Sequence, residues 1–296
     1  MSEKPLITVV IPSYNHDGFI SSAIESVFKQ TYTNFELIII DDGSDDDSRK
    51  IISEFASKYK FTYIFQENKG LSETLNSSLS LAKGEFITFC SSDDFLSHDK
   101  FEKQIALFNE NKDAICVFSK AKVIDDLDTP LSSQTDHYNK GLSNDITFTD
   151  LLTFKVVLPV TCMYKLDMFK KVGGFDLLAT AEDYDISLKI ALVGQLLFID
   201  EFLYFYRSPA AIGSTRKRKP MRLDVSESHL RTLNKYSEHP NYKDALIEWN
   251  YRRFILFSRY RENKMYALKG MLGSVCKFKR KMYLRSIVKL FIFWDK

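Results

Sequence analysis

The stretch GEFITFCSSDDFLSHDKF, residues 84–101, sets a short apolar run directly against two adjacent carboxylates, Asp93 and Asp94. Residues 85–90 read as a strand buried on both faces. Neighbouring carboxylates at the end of such a strand repel each other and lose hydration. The strand end is therefore expected to face a cation or a hydroxyl.

Working outward, the same grammar repeats through the first half of the chain. LITVVIP is followed by Phe19, Ile20, Ala23, Ile24, Val27 and Phe28, apolar at helical spacing. FELIIIDDGS comes next, then a helix with Ile51, Ile52 and Phe55 on one side. FTYIFQEN precedes a helix with Leu71, Leu75, Leu79 and Ala82, and FITFC follows. Strands with no wet face alternating with helices predict an α/β fold, a mostly parallel sheet covered by helices. AICVFSKAKVID and LPVTCMYKLDMF read as later strands, and AEDYDISLKIALVG as a helix opened by acidic residues. Ligands of such sheets bind at the carboxyl ends of the strands, where PSYN, DDGSDDDS, ENKG and SSDD gather.

The bulk properties set limits. The 296 residues, 45% of them hydrophobic, suffice for a full core. Cys90, Cys116, Cys162 and Cys276 lie far apart with no CxxC pair, which argues for a reducing compartment and against a disulfide frame and a zinc site. No signal-peptide pattern and no membrane-spanning run is present. The expected location is cytoplasmic. From Arg207 onward there are 22 Lys and Arg against 7 Asp and Glu, about +15; the preceding residues carry 19 against 32, about −13. Two regions with opposite partners are implied: residues 1–215, acidic and carrying the strand–helix alternation, and 216–296, helical and basic, with the boundary near residues 213–220.

Three carboxylate groups stand at element ends: Asp41/Asp42, Asp93/Asp94 and Glu182/Asp183. Singly, each is explicable as a helix cap, and Asp45, Asp46 and Asp47 read as caps. Three together, with no His or Cys among them, favour a hard cation, Mg²⁺ or Mn²⁺, completed by substrate phosphates. Neither a GxxxxGK[ST] loop nor GxGxxG is present, so a diphosphate would be neutralised mainly by the metal. A carboxylate on the nucleoside, a metal on the phosphates and a carboxylate facing the reacting carbon describe transfer from an activated nucleotide.

VVIPSYNHDGFISSAIESVFKQTYTNFELIIIDDGSDDDS, ENKGLSETLNSSLSLAKGEFITFCSSDDF, KKVGGFDLLATAEDYDISLKIALVG and IDEFLYFYR resemble, in order and spacing, the inverting family 2 glycosyltransferases of bacterial surface-polysaccharide synthesis. The resemblance covers residues 6–207 and implies that residues 1–215 are a nucleotide-sugar-binding catalytic domain. It implies a GT-A fold, a nucleotide-diphosphate sugar donor, typically a UDP-sugar, and a divalent metal. It further implies that Pro12, Ser13 and Tyr14 line the nucleoside pocket, that Asp42 accepts from the uracil N3–H, and that Asn68 and Gly70 form the turn beside the donor. Asp93 takes the metal-ligand position with Asp94 behind it, Asp183 matches the catalytic base, and Glu182 either orients that base or caps its helix.

Two departures stand out. Ser91 replaces an aspartate that contacts the ribose, leaving Ser92 or water to do so. After YR the chain reads SPAAIGS where many members place a metal-binding histidine. His137, His229 and His239 have no claim to that role.

Residues 275–294, VCKFKRKMYLRSIVKLFIFW, mix cations with aromatics as an interfacial helix on anionic lipid does. A peripheral position on the inner membrane face and a glycan or lipid-linked oligosaccharide acceptor follow from the resemblance; a plain solvated helical face is the competing reading. Nucleic acid is not an expected partner. The competing functions are a sugar nucleotidyltransferase, whose basic Gly-rich loop PSYNHDG lacks, and a non-catalytic nucleotide-sugar-binding protein.

Overall fold

The computed structural model describes residues 4–208 and 222–292, so the boundary expected at 213–220 lies outside the described residues. Strand and helix alternate as expected: β1 (Ile7–Ser13), α1 (Ile20–Phe28), β2 (Phe35–Asp42), α2 (Ser48–Lys58), β3 (Thr62–Gln66), α3 (Leu71–Leu81) and β4 (Phe86–Phe89). There follow β5 (Phe95–Leu96), α4 (Lys100–Glu110), β6 (Ala114–Ile124), α5 (Ser132–Tyr138), α6 (Phe148–Leu152), β7 (Met163–Lys165), α7 (Leu166–Lys171), α8 (Glu182–Ala191) and β8 (Gln195–Arg207). The basic region folds as α9 (Leu223–Asn234), α10 (Tyr242–Phe257), α11 (Lys264–Gly273) and α12 (Lys281–Phe291).

One sheet runs β3-β2-β1-β4-β7-β6-β8-β5. Its β1 pairs in parallel with β2 and β4, β2 with β3, and β6 with β8. The antiparallel joints are β7 against β4 and β6, and β5 against β8. The segment LPVTCMYKLDMF is thus only partly strand. Pro159 has no N–H to give a ladder, only Met163–Lys165 pairs, and Leu166 opens a helix.

The central strands are buried on both faces. Alternate residues of β1 enter different clusters: Val10 packs with Ile87 and Leu75, while Ile7, Val9 and Ile11 pack with Ile20, Ile24 and Val27 of α1. The edge strand β3 is the exception to the expectation of no wet face, with Tyr63 and Phe65 exposed. Arg49 of α2 covers the Phe65 ring at 5.4 Å.

Leu233, Ala245 and Trp249 of the basic region belong to the same buried cluster as Val10 and Ile87. Helices α9 and α10 of the basic region thus pack onto the sheet. A separate cluster, with Tyr251, Phe254, Phe257, Ala267, Tyr283 and Leu290, ties α10, α11 and α12 together. Among the described residues no helix is long and apolar enough to cross a membrane. Cys90, Cys116 and Cys162 are buried free thiols, and Cys276 is an exposed one.

Candidate active site

Four loops meet beyond the carboxyl ends of β1, β2, β3 and β4. Side chains tie them together. Asn15, which follows Tyr14 with φ +52°, donates its backbone N–H to Ser44 Oγ (2.9 Å) and accepts from Asp45 N through its amide oxygen (3.0 Å). Asp41, fully buried, accepts from Ser13 Oγ, Ser44 N and Arg49 Nε. It is a fastening of the loop rather than a ligand contact. Of the acidic run that follows, Asp46 does the fastening, accepting from Ser48 N and from Asp17 N, both at 2.9 Å.

Asp42 organises the next loop. Its Oδ1 accepts from Gln66 Nε2 (2.7 Å) and Lys69 N (2.8 Å), and Oδ2 from Gly70 N (2.8 Å). The turn carrying Asn68 and Gly70 is thereby folded against β2. Gly43 makes the close approach possible: with φ +86°, a Cβ there would stand 2.8 Å from Asn68 N. Tyr14 remains about half exposed at the mouth, its ring available for stacking.

The opening contradiction of the sequence resolves at β4. Asp94 is buried; its Oδ2 accepts from the Tyr204 hydroxyl (2.8 Å) and its Oδ1 from Arg207 N (2.7 Å). Burial, and then the charge of Asp93, push its carboxyl well above the usual range. Both oxygens of Asp94 thus face β8, while Asp93 is the more open member of the pair. Arg207 fixes the turn, with Nε on Asp93 O (2.7 Å) and Nη1 on Asp125 O (2.7 Å). Ser92 is buried and its hydroxyl meets His16 Nδ1 at 2.8 Å; His16 Nε2 lies 3.9 Å from Asp93 Oδ2. His16 was not anticipated from the sequence. The signal was its place just after β1, which neighbours β4.

Glu182 and Asp183 occupy the first turn of α8, where the helix dipole favours acidic groups. Pro12, Ser91, Leu158, Glu182 and Asp183 share a narrow cleft of about 100 Å³. Asp183 also opens into a wider cavity of about 810 Å³. Its surface is accessible from that cavity, while the surrounding protein mass raises its carboxyl above the ordinary range, offset by its bond from Tyr184 N (2.8 Å). Burial and then Asp183 push Glu182 up to about 7.

The far wall of the wide cavity comes from the basic region: Glu248 and Arg252 of α10, with Lys277 and Arg280. Glu248 bridges the two, at 3.4 Å from Lys277 and 3.1 Å from Arg280, and Arg252 Nη2 donates to Phe154 O at 2.5 Å. With Asp244, five side chains of the basic region line the cavity that Asp183 opens into, where the sequence pattern suggests a solvated or lipid-facing surface. His229, held down at about 4 by burial and then by Arg252, packs neutral against Phe154 and Tyr184.

Among the described residues no three His, Cys, Asp or Glu side chains converge. A partly open carboxylate suits Mg²⁺ or Mn²⁺ carried on substrate phosphates, not a metal caged by protein alone.

Comparison with known proteins agrees with this architecture. The family model Glycosyl transferase family 2 matches residues 8–173. The chain belongs to that family. Chondroitin synthase of Escherichia coli is 30% identical over 237 residues, covering 79% of this chain and 33% of its own length. An uncharacterised glycosyltransferase of Rickettsia typhi is 33% identical over 205 residues, covering 68% of this chain and 63% of its own. The chain thus spans a third to just under two thirds of these relatives. Among solved structures, S. aureus TarS 1-349 in complex with UDP-GlcNAc superposes with a TM-score of 0.69 at 19% identity, covering 96% of this chain and 88% of that one. The mannosyltransferase PcManGT of Pyrobaculum calidifontis, in complex with GDP-Man and Mn²⁺, gives 0.63 at 14% identity, with 98% and 85% covered. The fold is GT-A, as the sequence resemblance implied.

Proposed function

We propose that this family 2 chain is an inverting glycosyltransferase that moves a sugar from a UDP-sugar to a hydroxyl of a glycan or lipid-linked acceptor. The observation that carries the reading is the double position of Asp183, in the lining of the narrow cleft with Pro12 and Ser91 and in that of the wider cavity. A donor enters from one side and an acceptor from the other. The donor complexes of TarS and PcManGT support a nucleotide-diphosphate sugar.

In this mechanism Tyr14 stacks on the base, Asp42 and the Asn68 to Gly70 turn hold the nucleoside, and Ser92 lies toward the ribose. Asp183 takes the proton of the acceptor hydroxyl as that oxygen bonds to the anomeric carbon, and the nucleoside diphosphate leaves from the opposite face. Positioned base catalysis of this kind contributes roughly 10²- to 10⁴-fold. A Mg²⁺ or Mn²⁺ ion at Asp93 would supply the Lewis acidity that neutralises the departing diphosphate. Asp94 and Arg207 hold Asp93 in place.

The basic region has two parts in the proposal. Its inner cations line the acceptor cavity. Its outer helix α12 exposes Leu284, Val288, Phe291 and Ile292 beside Lys281 and Arg285, a pattern suited to the headgroup zone of an anionic membrane. This is where a lipid-linked acceptor would be met.

The test is incubation with a panel of UDP-sugars and Mn²⁺. Slow hydrolysis of one donor is expected, lost in Asp183→Asn. Turnover that requires pyrophosphate would instead identify a nucleotidyltransferase, and binding of a donor without turnover under any acceptor would identify a binding protein.

A further inference from the structure

We propose that His16 is a second protein ligand of the divalent ion, beside Asp93. The inference rests on the metal reading of the site and specifies the residue that the motif after β8 leaves open. Adjacent parallel strands create the juxtaposition. Because β1 and β4 pair in register from Ile7 with Phe86 to Val10 with Phe89, the loops leaving them run side by side, and His16 meets Ser92 and Asp93 across the gap.

Three features make the ring suited to a metal. Its Nδ1 is engaged by the buried Ser92 hydroxyl at 2.8 Å. When that nitrogen donates, the neutral ring presents the Nε2 lone pair on the Asp93 side; metal-bound histidines as a rule have their other nitrogen held in this way. Nε2 stands 3.9 Å from Asp93 Oδ2, inside the limit of about 4.2 Å for two donors each about 2.1 Å from one ion. Both side chains are partly open, 28% and 16% exposed, which leaves room for phosphate oxygens and water to complete the shell.

The position is also held from behind. Ser48 Oγ accepts from His16 N at 3.2 Å, and the Phe19 ring lies edge-on at 6.4 Å. The other flank is committed, since Arg207 gives its guanidinium to Asp93 O, Asp125 O and Asp128. The same His16 geometry would serve a simple ion pair with Asp93, and the experiment separates the two.

Mn²⁺ is titrated into the full-length protein with saturating UDP, followed by calorimetry and by pulsed electron paramagnetic resonance. Wild type is expected to bind one Mn²⁺ with a ¹⁴N coupling from imidazole. His16→Ala should lose that coupling and weaken Mn²⁺ affinity 10-fold or more, and Ser92→Ala should weaken it less while keeping the coupling. Mn²⁺ uptake by wild type without any ¹⁴N coupling, or equal affinity in a folded His16→Ala, would overturn the role of His16 and leave the metal at Asp93. No Mn²⁺ uptake by wild type with UDP would overturn the metal reading itself.

Discussion

The Tyr204 hydroxyl donates to Asp94 Oδ2 at 2.8 Å across 110 residues of sequence, joining β8 to the carboxylate pair that ends β4. Because Tyr204 is fully buried, the contact has no water to replace it. Tyr204→Phe should cost about 1–3 kcal/mol, the usual penalty for stranding a buried polar partner. Chemical denaturation checks this, and a change within 0.5 kcal/mol would show that Asp94 finds another donor.

Asp183→Asn keeps the shape of the side chain and removes its basicity. Transfer should fall by roughly 10²-fold or more with donor affinity little changed. Activity within a few-fold of wild type would move the base to Glu182 or Asp185.

Glu182 gives stability a pH dependence. Its carboxyl titrates near 7 in the folded chain against an ordinary 4.5. Between those values the folded state holds a proton that the unfolded state has released, so stability falls as pH rises through this window. Glu182→Gln removes the effect. Its Tm should exceed that of wild type at pH 8 and match it at pH 4; the same difference at both pH values would contradict the shift.

Gly43→Ala tests the approach of β2 to the Asn68 turn. The new methyl would lie 2.8 Å from Asn68 N at φ +86°. Strain of this kind costs about 1–3 kcal/mol, and displacement of the turn should raise the donor KM more than it lowers kcat. An unaltered KM would detach the turn from donor binding.

The membrane reading is best tested on the exposed face of α12. Deleting residues 273–296 would remove Tyr283 and Leu290 and uncover Phe254 and Phe257, confusing docking with unfolding. Leu284→Ser, Val288→Ser and Phe291→Ser together should weaken co-sedimentation with anionic vesicles. Wild-type binding should fall as salt rises, since each cation near such a surface contributes about 1 kcal/mol that salt screens. Equal sedimentation of variant and wild type would leave α12 as a solvated face.

The parallel core was legible because strands such as Ile7–Ser13 have no polar side to show, and the motif ends named the loops that meet. The rest was hidden by distance along the chain. His16 reaches Ser92 only because β1 and β4 are neighbours, and nothing local in IDEFLYFYR marks Tyr204 and Arg207 as the clamp on Asp94. The exposure of Tyr63 comes from the edge place of β3, which strand composition does not encode. The basic helices misled through their average charge: α10 turns Arg252 and Glu248 inward while burying Trp249 beneath the sheet cluster.

That helix has a mechanical meaning. With 16 residues, α10 is about 24 Å long; Ala245 and Trp249 anchor it in the sheet cluster, and Phe254 and Phe257 anchor it beneath α12. A rod seated at both ends transmits orientation. If α12 rests on a bilayer, α10 sets the height and tilt of the catalytic opening above it, and acceptors would be chosen partly by how far their hydroxyl stands from the lipid.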